Sequence, residues 1–423
     1  MIRPVPTLRG WVVGGCGVVL LVLAAWFGRE DLLFAGLVAT LAPFGAMVAI
    51  ALDRPWLTVI RSYAPDSVQA GEGAQVRLYV RNEASRPTPG FSWRDRMPAD
   101  IAEVPARSFP SLAAATGTGV SRGAETATLR YTARPRRRGA FLLGPLRVTR
   151  TDPFGLARCG YAVGESKVLL VTPRVLELGA GGPDQARGEG TDPELVRHAI
   201  PSADEVIPRD YRPGDPLRRV QWRATARQDR LMVRQEEQRS NPESALLLDT
   251  VGARSAAPGG FDRAVELAAS VAAHLLELGY LVDVHETGEP QLSGAYELPG
   301  GDTLLLHQLA SLEQTRELDG DYAGKLSLAL RGGHRAAPVF LFLVDGDPGS
   351  WRELESLTRY ADPAVAFLLT PSARSAEPWL AAAGWVCVAV DESTDVVAAW
   401  ARARQARQRR QQPDASSGAP RVR

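Results

Sequence analysis

Lysine is almost missing from this chain: Lys167 and Lys325 are the only two, so arginine carries nearly all of the positive charge. Basic and acidic residues nearly cancel, 49 against 48, and a net charge of +1 argues against a general polyanion partner, so no nucleic acid is expected. Cysteine is equally scarce. Cys16, Cys159 and Cys387 are odd in number, far apart and outside any CxxC or Cys/His spacing, which excludes a disulfide framework and a zinc site. The five histidines, His198, His274, His285, His307 and His334, contain no pair at metal-ligand spacing. No Gly-x-Ser-x-Gly elbow, P-loop or His-Glu-x-x-His is present, so no familiar hydrolase, nucleotidase or metalloprotease centre can be read from the chain. Gly179 to Gly190 is Gly-rich but lacks the Gly-Lys-Ser/Thr continuation of a phosphate loop, and reads as a flexible linker.

Long hydrophobic runs, by contrast, are present at the N-terminal end. Leu8 to Phe27 and Leu32 to Leu52 are each about 20 residues, enough to cross a bilayer core as helices, and only Gly28 to Asp31 separates them. Residues 1–54 are therefore expected to form a two-helix transmembrane hairpin. Arg3 and Arg9 precede the pair, Arg54 and Arg61 follow it, and the short loop sets Arg29 against Glu30 and Asp31. The positive-inside rule then places both flanks, and the soluble remainder, in the cytoplasm of a multi-pass cell-membrane protein.

The remaining 369 positions, at 45% hydrophobic content over the 423-residue chain, are too apolar for general disorder. Residues 55–178 read as a β-sandwich built from short strands such as Ala74 to Asn82, Thr126 to Tyr131 and Lys167 to Val171, several of them alternating. In this stretch Asp152-Pro153-Phe154-Gly155 is expected to be a turn with Phe154 plugging the core. Arg134 and Arg136 to Arg138 form a basic cluster, read as a solvated surface or a face toward anionic lipid headgroups. Residues 179–242 form a linker and a distinctive signature segment. Residues 243–400 alternate apolar strands (Ser244 to Asp249, Tyr280 to His285, Val339 to Asp345, Val365 to Thr370, Val386 to Val390) with helices (Phe261 to Leu278, Thr303 to Leu312, Trp351 to Tyr360, Pro378 to Ala383, Thr394 to Arg409). That pattern predicts an α/β doubly wound parallel sheet, with Asp249 and Asp345 at the carboxyl ends of strands where ligands of such sheets bind. Residues 401–423 are expected to be a basic disordered tail, without the aromatics that RNA stacking needs.

The signature runs from Arg209 to Arg239. Pro213-Gly214-Asp215-Pro216 is a turn with an N-cap built in, opening a helix whose Leu217, Val220 and Ala224 share a face, and Leu231, Met232 and Val233 suit a strand. The order and spacing of Tyr-Arg-Pro-Gly-Asp, Arg-Arg-Val-Gln-Trp, Ala-Thr-Ala-Arg and Leu-Met-Val-Arg-Gln-Glu resemble domain-of-unknown-function family 58. Arg136-Arg137-Arg138-Gly139 and Asp152-Pro153-Phe154-Gly155-Leu156 resemble its flanking pattern. The α/β part resembles a von Willebrand factor A domain. Such a domain ends its first strand in Asp-x-Ser-x-Ser to hold a divalent cation, whereas this chain has Asp249-Thr250-Val251-Gly252-Ala253, a degenerate site at which no cofactor is expected, with Mg²⁺ as the alternative.

Arg209, Asp210, Tyr211, Pro213, Gly214, Asp215, Arg219, Trp222, Arg227 and Arg234 are the residues expected to recognise a protein or to lock domains together. Two readings stay open: an interface, or a buried Trp222 with arginines paired to Asp210, Asp215, Glu236 or Glu237. The family resemblance implies work beside a MoxR-type AAA+ ATPase. The expected function is thus a non-enzymatic, membrane-anchored cytoplasmic adaptor. The alternatives are a divalent-metal-dependent ligand-binding or hydrolytic protein centred on Asp249 and Asp345, and a purely structural membrane scaffold.

Overall fold

A computed structural model describes residues 4–115, 126–179, 208–210, 222–228, 230–234, 242–251, 259–315, 337–344, 357–359, 361–391 and 393–411. The linker expected at Gly179 to Gly190 and most of the helix expected at Trp351 to Tyr360 lie outside the described residues, as does Asp345. The chain divides into two compact units: residues 1–176 with 261–270 and 303–314, and residues 177–260 with 271–302 and 315–423.

Two apolar helices lie in the first unit, α1 (Leu8–Phe27) and α2 (Glu30–Leu52), both long and apolar enough to span a membrane. Thr7 caps α1 by accepting from the Gly10 N–H at 3.1 Å, and Gly28 ends it at φ 63°, the left-handed geometry a glycine adopts without penalty. The buried positions are Gly10, Gly17 and Ala24 on α1, and Gly36, Pro43 and Ile50 on α2. Both sets recur every seven residues, the seam of two antiparallel helices packed along their length. Glycine at the seam lets the backbones touch: a Cβ on Gly17 would lie 2.6 Å from the Thr40 nitrogen, and one on Gly36 would lie 2.9 Å from the Leu21 nitrogen. Outside the seam the apolar side chains are bare, with Leu8 81% and Trp26 82% exposed, so these are not the buried core helices of a soluble domain.

The rest of the unit is rich in sheet. Strands β1 (Val5–Pro6), β2 (Leu57–Ala64), β3 (Ser67–Gln69), β4 (Ala74–Asn82), β5 (Phe91–Asp95), β6 (Arg107–Phe109), β7 (Thr126–Ala133), β8 (Gly139–Leu143), β9 (Leu146–Thr151), β10 (Ala157–Val163) and β11 (Lys167–Thr172) form three sheets. Their orders are β2-β4-β7, β3-β11-β8 and β1-β10-β9-β5-β6. Strand β4 shows the reason for the pairing: Ala74, Val76, Leu78 and Val80 are fully buried at alternate positions while Gln75, Tyr79 and Arg81 face out. These join Trp93, Leu143, Val148 and Leu169 from the other two sheets in one apolar core. Phe154 does not plug that core. It is 78% exposed, in a turn that Asp152 closes by accepting from the Phe154 N–H.

In the second unit β12 (Pro208–Asp210) pairs antiparallel with β13 (Met232–Arg234), separate from a six-stranded sheet. That sheet comprises β14 (Glu243–Leu248), β15 (Leu281–Glu286), β16 (Ala295–Tyr296), β17 (Ala337–Leu343), β18 (Ala361–Leu368) and β19 (Val386–Ala389), in the order β16-β15-β14-β17-β18-β19. All neighbours are parallel except the edge strand β16. The near-continuous apolar runs of β14 and β17 are buried at nearly every position, as strands covered on both faces must be. The helices α3 (Trp222–Gln228), α6 (Glu377–Ala382) and α7 (Val396–Gln411) belong to this unit, whereas residues 261–270 of α4 (Gly260–Glu277) and 303–311 of α5 (Gly301–Ser311) belong to the first. Helix α7 reaches into the stretch expected as a tail, since Ala, Arg and Gln are good helix formers and Ala403 and Arg407 are buried there.

Candidate functional site

The signature segment starts and ends on one short ladder. Arg209 pairs with Val233 and Asp210 with Met232, so Arg209, Asp210 and Arg234 belong to the same two-stranded ribbon. Tyr211, Pro213, Gly214, Asp215 and Arg219 lie outside the described residues. Helix α3 precedes β13, and the Met232 N–H donates to Thr225 Oγ1 at 3.0 Å, which ties the helix to the ribbon. Met232 is buried, and Trp222 is not: its side chain is 70% exposed, contrary to the reading that buries it as a lock. Arg227 is exposed on the same helix. An exposed Trp and an exposed Arg on one helix are residue types that protein interfaces favour.

A second feature lies where the parallel sheet reverses its direction of growth, between β14 and β17. Ligands of open α/β sheets bind at such a switch point. Asp249 directly follows β14 there and is 1% exposed. Its Oδ1 accepts from Thr287 Oγ1 at 3.1 Å and its Oδ2 accepts from the Val344 N–H at 3.1 Å. Thr287 Oγ1 also accepts from the Thr250 N–H at 2.9 Å, and Thr250 Oγ1 from the Gly288 N–H at 2.9 Å. The carboxylate therefore joins the ends of β14, β15 and β17. Asp345, the expected second carboxylate, is not among the described residues, and within those residues no three His, Cys, Asp or Glu side chains gather as a metal would require.

Residues 208–284 match the model of a family described as a protein of unknown function, DUF58. The chain carries a DUF58 segment. That segment holds the ribbon, α3, β14 with Asp249, and α4. No curated protein matches the chain. Among solved structures, the CARDB domain of the PF1109 protein from Pyrococcus furiosus is 17% identical over 26% of this chain and 94% of its own, with a TM-score of 0.17. The Pseudomonas fluorescens alkylpurine DNA glycosylase AlkC is 15% identical over 36% of this chain and 42% of its own, with a TM-score of 0.17. A putative late embryogenesis abundant protein is 14% identical over 36% and 88%, with a TM-score of 0.19. Scores this low establish no shared fold.

Two arrangements were not legible in the sequence. Within the first unit, Asp262, in the opening turn of α4 and of the DUF58 segment, is gripped by Arg137 at 2.6 Å and Arg138 at 3.1 Å. The Arg138 side chain is 7% exposed, donates to the carbonyls of Leu309 and Leu312, and lies 5.1 Å from the centre of the Phe261 ring. Burial pushes its guanidinium pKa down, and Asp262 opposes that shift. So Arg138 is not part of a solvated or lipid-facing patch: a run of three arginines signals charge, and only the fold reveals which of them is enclosed. In the second unit, Glu286 at the end of β15 accepts from the N–H groups of Gln291 and Leu292 at 2.7 and 2.9 Å through Oε2. Burial raises its pKa, with those two donors working against the rise.

Proposed function

We propose that this chain is a membrane-anchored, cytoplasm-facing adaptor that binds a protein partner through its DUF58 segment, the partner being a MoxR-type AAA+ ATPase. The observation that carries the reading is the exposure of Trp222 and Arg227 on α3, a helix tied to the buried Met232 through its N–H and Thr225 Oγ1. Desolvating a Trp and an Arg on a rigid support supplies binding energy with little ordering cost. The order of the parallel sheet, with Asp249 at its switch point, supports a degenerate von Willebrand A-like domain beside it. Asp249 works here as a strap between strand ends, and a cation would have to displace the donors already on both of its oxygens. The bare apolar helices α1 and α2 supply the anchor, with the arginines at their outer ends on the cytoplasmic side.

The test is affinity purification of the full-length chain in mild detergent with crosslinking mass spectrometry, comparing wild type with Trp222→Ala and Arg227→Ala. The reading expects an AAA+ ATPase crosslinked to residues in or beside α3, lost in both variants while their melting temperatures stay at the wild-type value. Recovery of the chain alone, or an ATPase retained equally by the variants, would remove α3 as the interface. A fall in melting temperature with Trp222→Ala would favour the structural-scaffold reading instead.

A further inference from the structure

The turn between β9 and β10 is built against the ends of the two apolar helices. Thr7, the cap of α1, donates through Oγ1 to the Gly155 carbonyl at 2.5 Å and through its N–H to the Leu156 carbonyl at 2.8 Å. Gly10 packs so closely on that carbonyl that a Cβ there would overlap it. On the other helix, Arg150 donates to the Asp53 carbonyl at 2.6 Å and to Asp53 Oδ2 at 2.7 Å, and Tyr161 donates to the Ile50 carbonyl. Ile50, Ala157 and Cys159 form a small core of their own at this junction. The turn is thus fixed at the level where α1 begins and α2 ends.

Its tip is apolar and bare. Phe154 is 78% exposed, Trp56, four residues beyond the end of α2, is 70% exposed, and Leu8 at the start of α1 is 81% exposed. Much of the polar backbone of the turn is paired internally. Asp152 accepts from the Phe154 N–H at 3.0 Å and the Ala157 N–H at 2.5 Å, and Gly155 N–H donates back to the Asp152 carbonyl at 3.0 Å. Pro153 has no N–H, and the Gly155 and Leu156 carbonyls are taken by Thr7. What the tip presents outward is a proline and an aromatic ring, side chains that gain by leaving water for the interfacial region of a bilayer. Arg9 lies beside Gly155, with its guanidinium Nη1 as well as its Cδ against the turn, so a cation accompanies the tip where anionic headgroups would lie.

We infer that Asp152 to Leu156 is a membrane-seating turn, which dips Phe154 into the headgroup region together with Trp56 and so sets the β unit flush on the bilayer. The ligand is the lipid interface, where aromatic rings collect at both ends of membrane spans. This rests on the reading that α1 and α2 cross the membrane.

The full-length chain, carrying Cys16→Ser, Cys159→Ala and Cys387→Ser, would receive a single cysteine by Phe154→Cys, Val19→Cys in mid-α1, or Glu72→Cys. Glu72 serves as the distal control because β2 runs away from Leu57, near α2, to Ala64, which pairs with Gln75. Each variant is labelled with an environment-sensitive fluorophore in phosphatidylcholine–phosphatidylglycerol vesicles, then challenged with iodide in the water and with spin-labelled lipids of shallow or deep label. The inference expects shallow lipid to quench position 154 several-fold more than position 72, with iodide showing the reverse order. Deep quenching at position 19 with position 154 behaving like position 72 would overturn the inference and leave the hairpin standing. No lipid quenching at position 19 would overturn the hairpin reading and the inference together. Wild-type protein gives an independent measure: photoactivated diazirine lipid should leave adducts on peptides holding Phe154 and Trp56, and their absence beside labelled α1 peptides would again refute the seating turn.

Discussion

Asp95→Ala is the substitution from which the structure predicts the largest loss of stability in the β unit. Arg61 and Asp95 form an ion pair at 2.7 Å with side chains 2% and 0% exposed, so neither charge can turn to water. Tyr131 donates to the second carboxylate oxygen at 2.5 Å, and Arg61 also donates to the Glu165 carbonyl at 2.7 Å. Removing the carboxylate strands a buried guanidinium with a single carbonyl acceptor and deprives the Tyr131 hydroxyl of its partner. Breaking a buried pair on one side costs about 3–5 kcal/mol, and the Tyr131 loss falls within the same network, so it is not added. For a unit of this size that is a drop of about 6–20 °C in melting temperature. Because a two-unit chain need not unfold in one step, the measurement is hydrogen exchange of β4, β5 and β7 peptides in the full-length protein. A loss below about 1 kcal/mol would refute the claim that the pair is sealed from solvent. The same cluster sets an alkaline limit. Burial pushes the Tyr63 hydroxyl from 10 up to about 12, with the Arg61 charge opposing the rise and Asp95 adding to it. The folded state therefore holds this proton more tightly than the unfolded one, and the stabilisation is complete below pH 10 and lost as pH rises from 10 to about 12. About 3 kcal/mol is the upper bound for that limb, and Tyr63→Phe should flatten it.

Gly36→Leu is expected to separate α1 from α2, because a Cβ at 36 already meets Leu21 and the Gly17 carbonyl at 2.9–3.0 Å; cysteine crosslinking across the seam should fall, and unchanged crosslinking would argue against close packing there. Asp249→Ala should cost the α/β unit about 1–3 kcal/mol by leaving the Val344 N–H and Thr287 Oγ1 without their acceptor; exchange at the ends of β14 and β17 reports it, and a stability gain would point to a carboxylate kept for ligand binding. Glu286→Gln should remove a loss of stability that sets in as pH rises through the elevated Glu286 pKa, since the protonated form is the one the buried site favours; identical pH profiles for variant and wild type would show that burial is not felt.

Where an element answers to a local period, it could be read directly. The two apolar runs, the alternation of Ala74 to Val80 and the buried strands β14 and β17 each carry their own pattern in adjacent residues. Elements whose only reason for existing is a distant partner could not. β12 is three residues long and is defined by pairing with β13 more than twenty residues later, and β16 is two residues at the edge of β15. Hydrophobicity also fails to distinguish a core from an exposed surface: Phe154 and Trp222 read equally well as buried, and both are bare. The Arg61–Asp95 pair joins positions 34 apart on different sheets, with no spacing that a single strand would display.

The aspartates show how a site candidate is decided by the donors facing it rather than by its place in a motif. Asp95 meets a guanidinium and a phenol and becomes a sealed charge; Asp152 meets two backbone N–H groups and becomes a turn. Asp262 meets two arginines, and Asp249 meets a threonine hydroxyl and an N–H from two neighbouring strand ends. A carboxylate with both oxygens engaged by fixed donors holds elements together, and recruiting it for a cation would loosen the sheet at its switch point. On the proposed adaptor reading, recognition therefore falls to side chains of the DUF58 segment that the fold leaves exposed: the ring of Trp222 and the guanidinium of Arg227 on α3, with the Met232–Thr225 tie left in place.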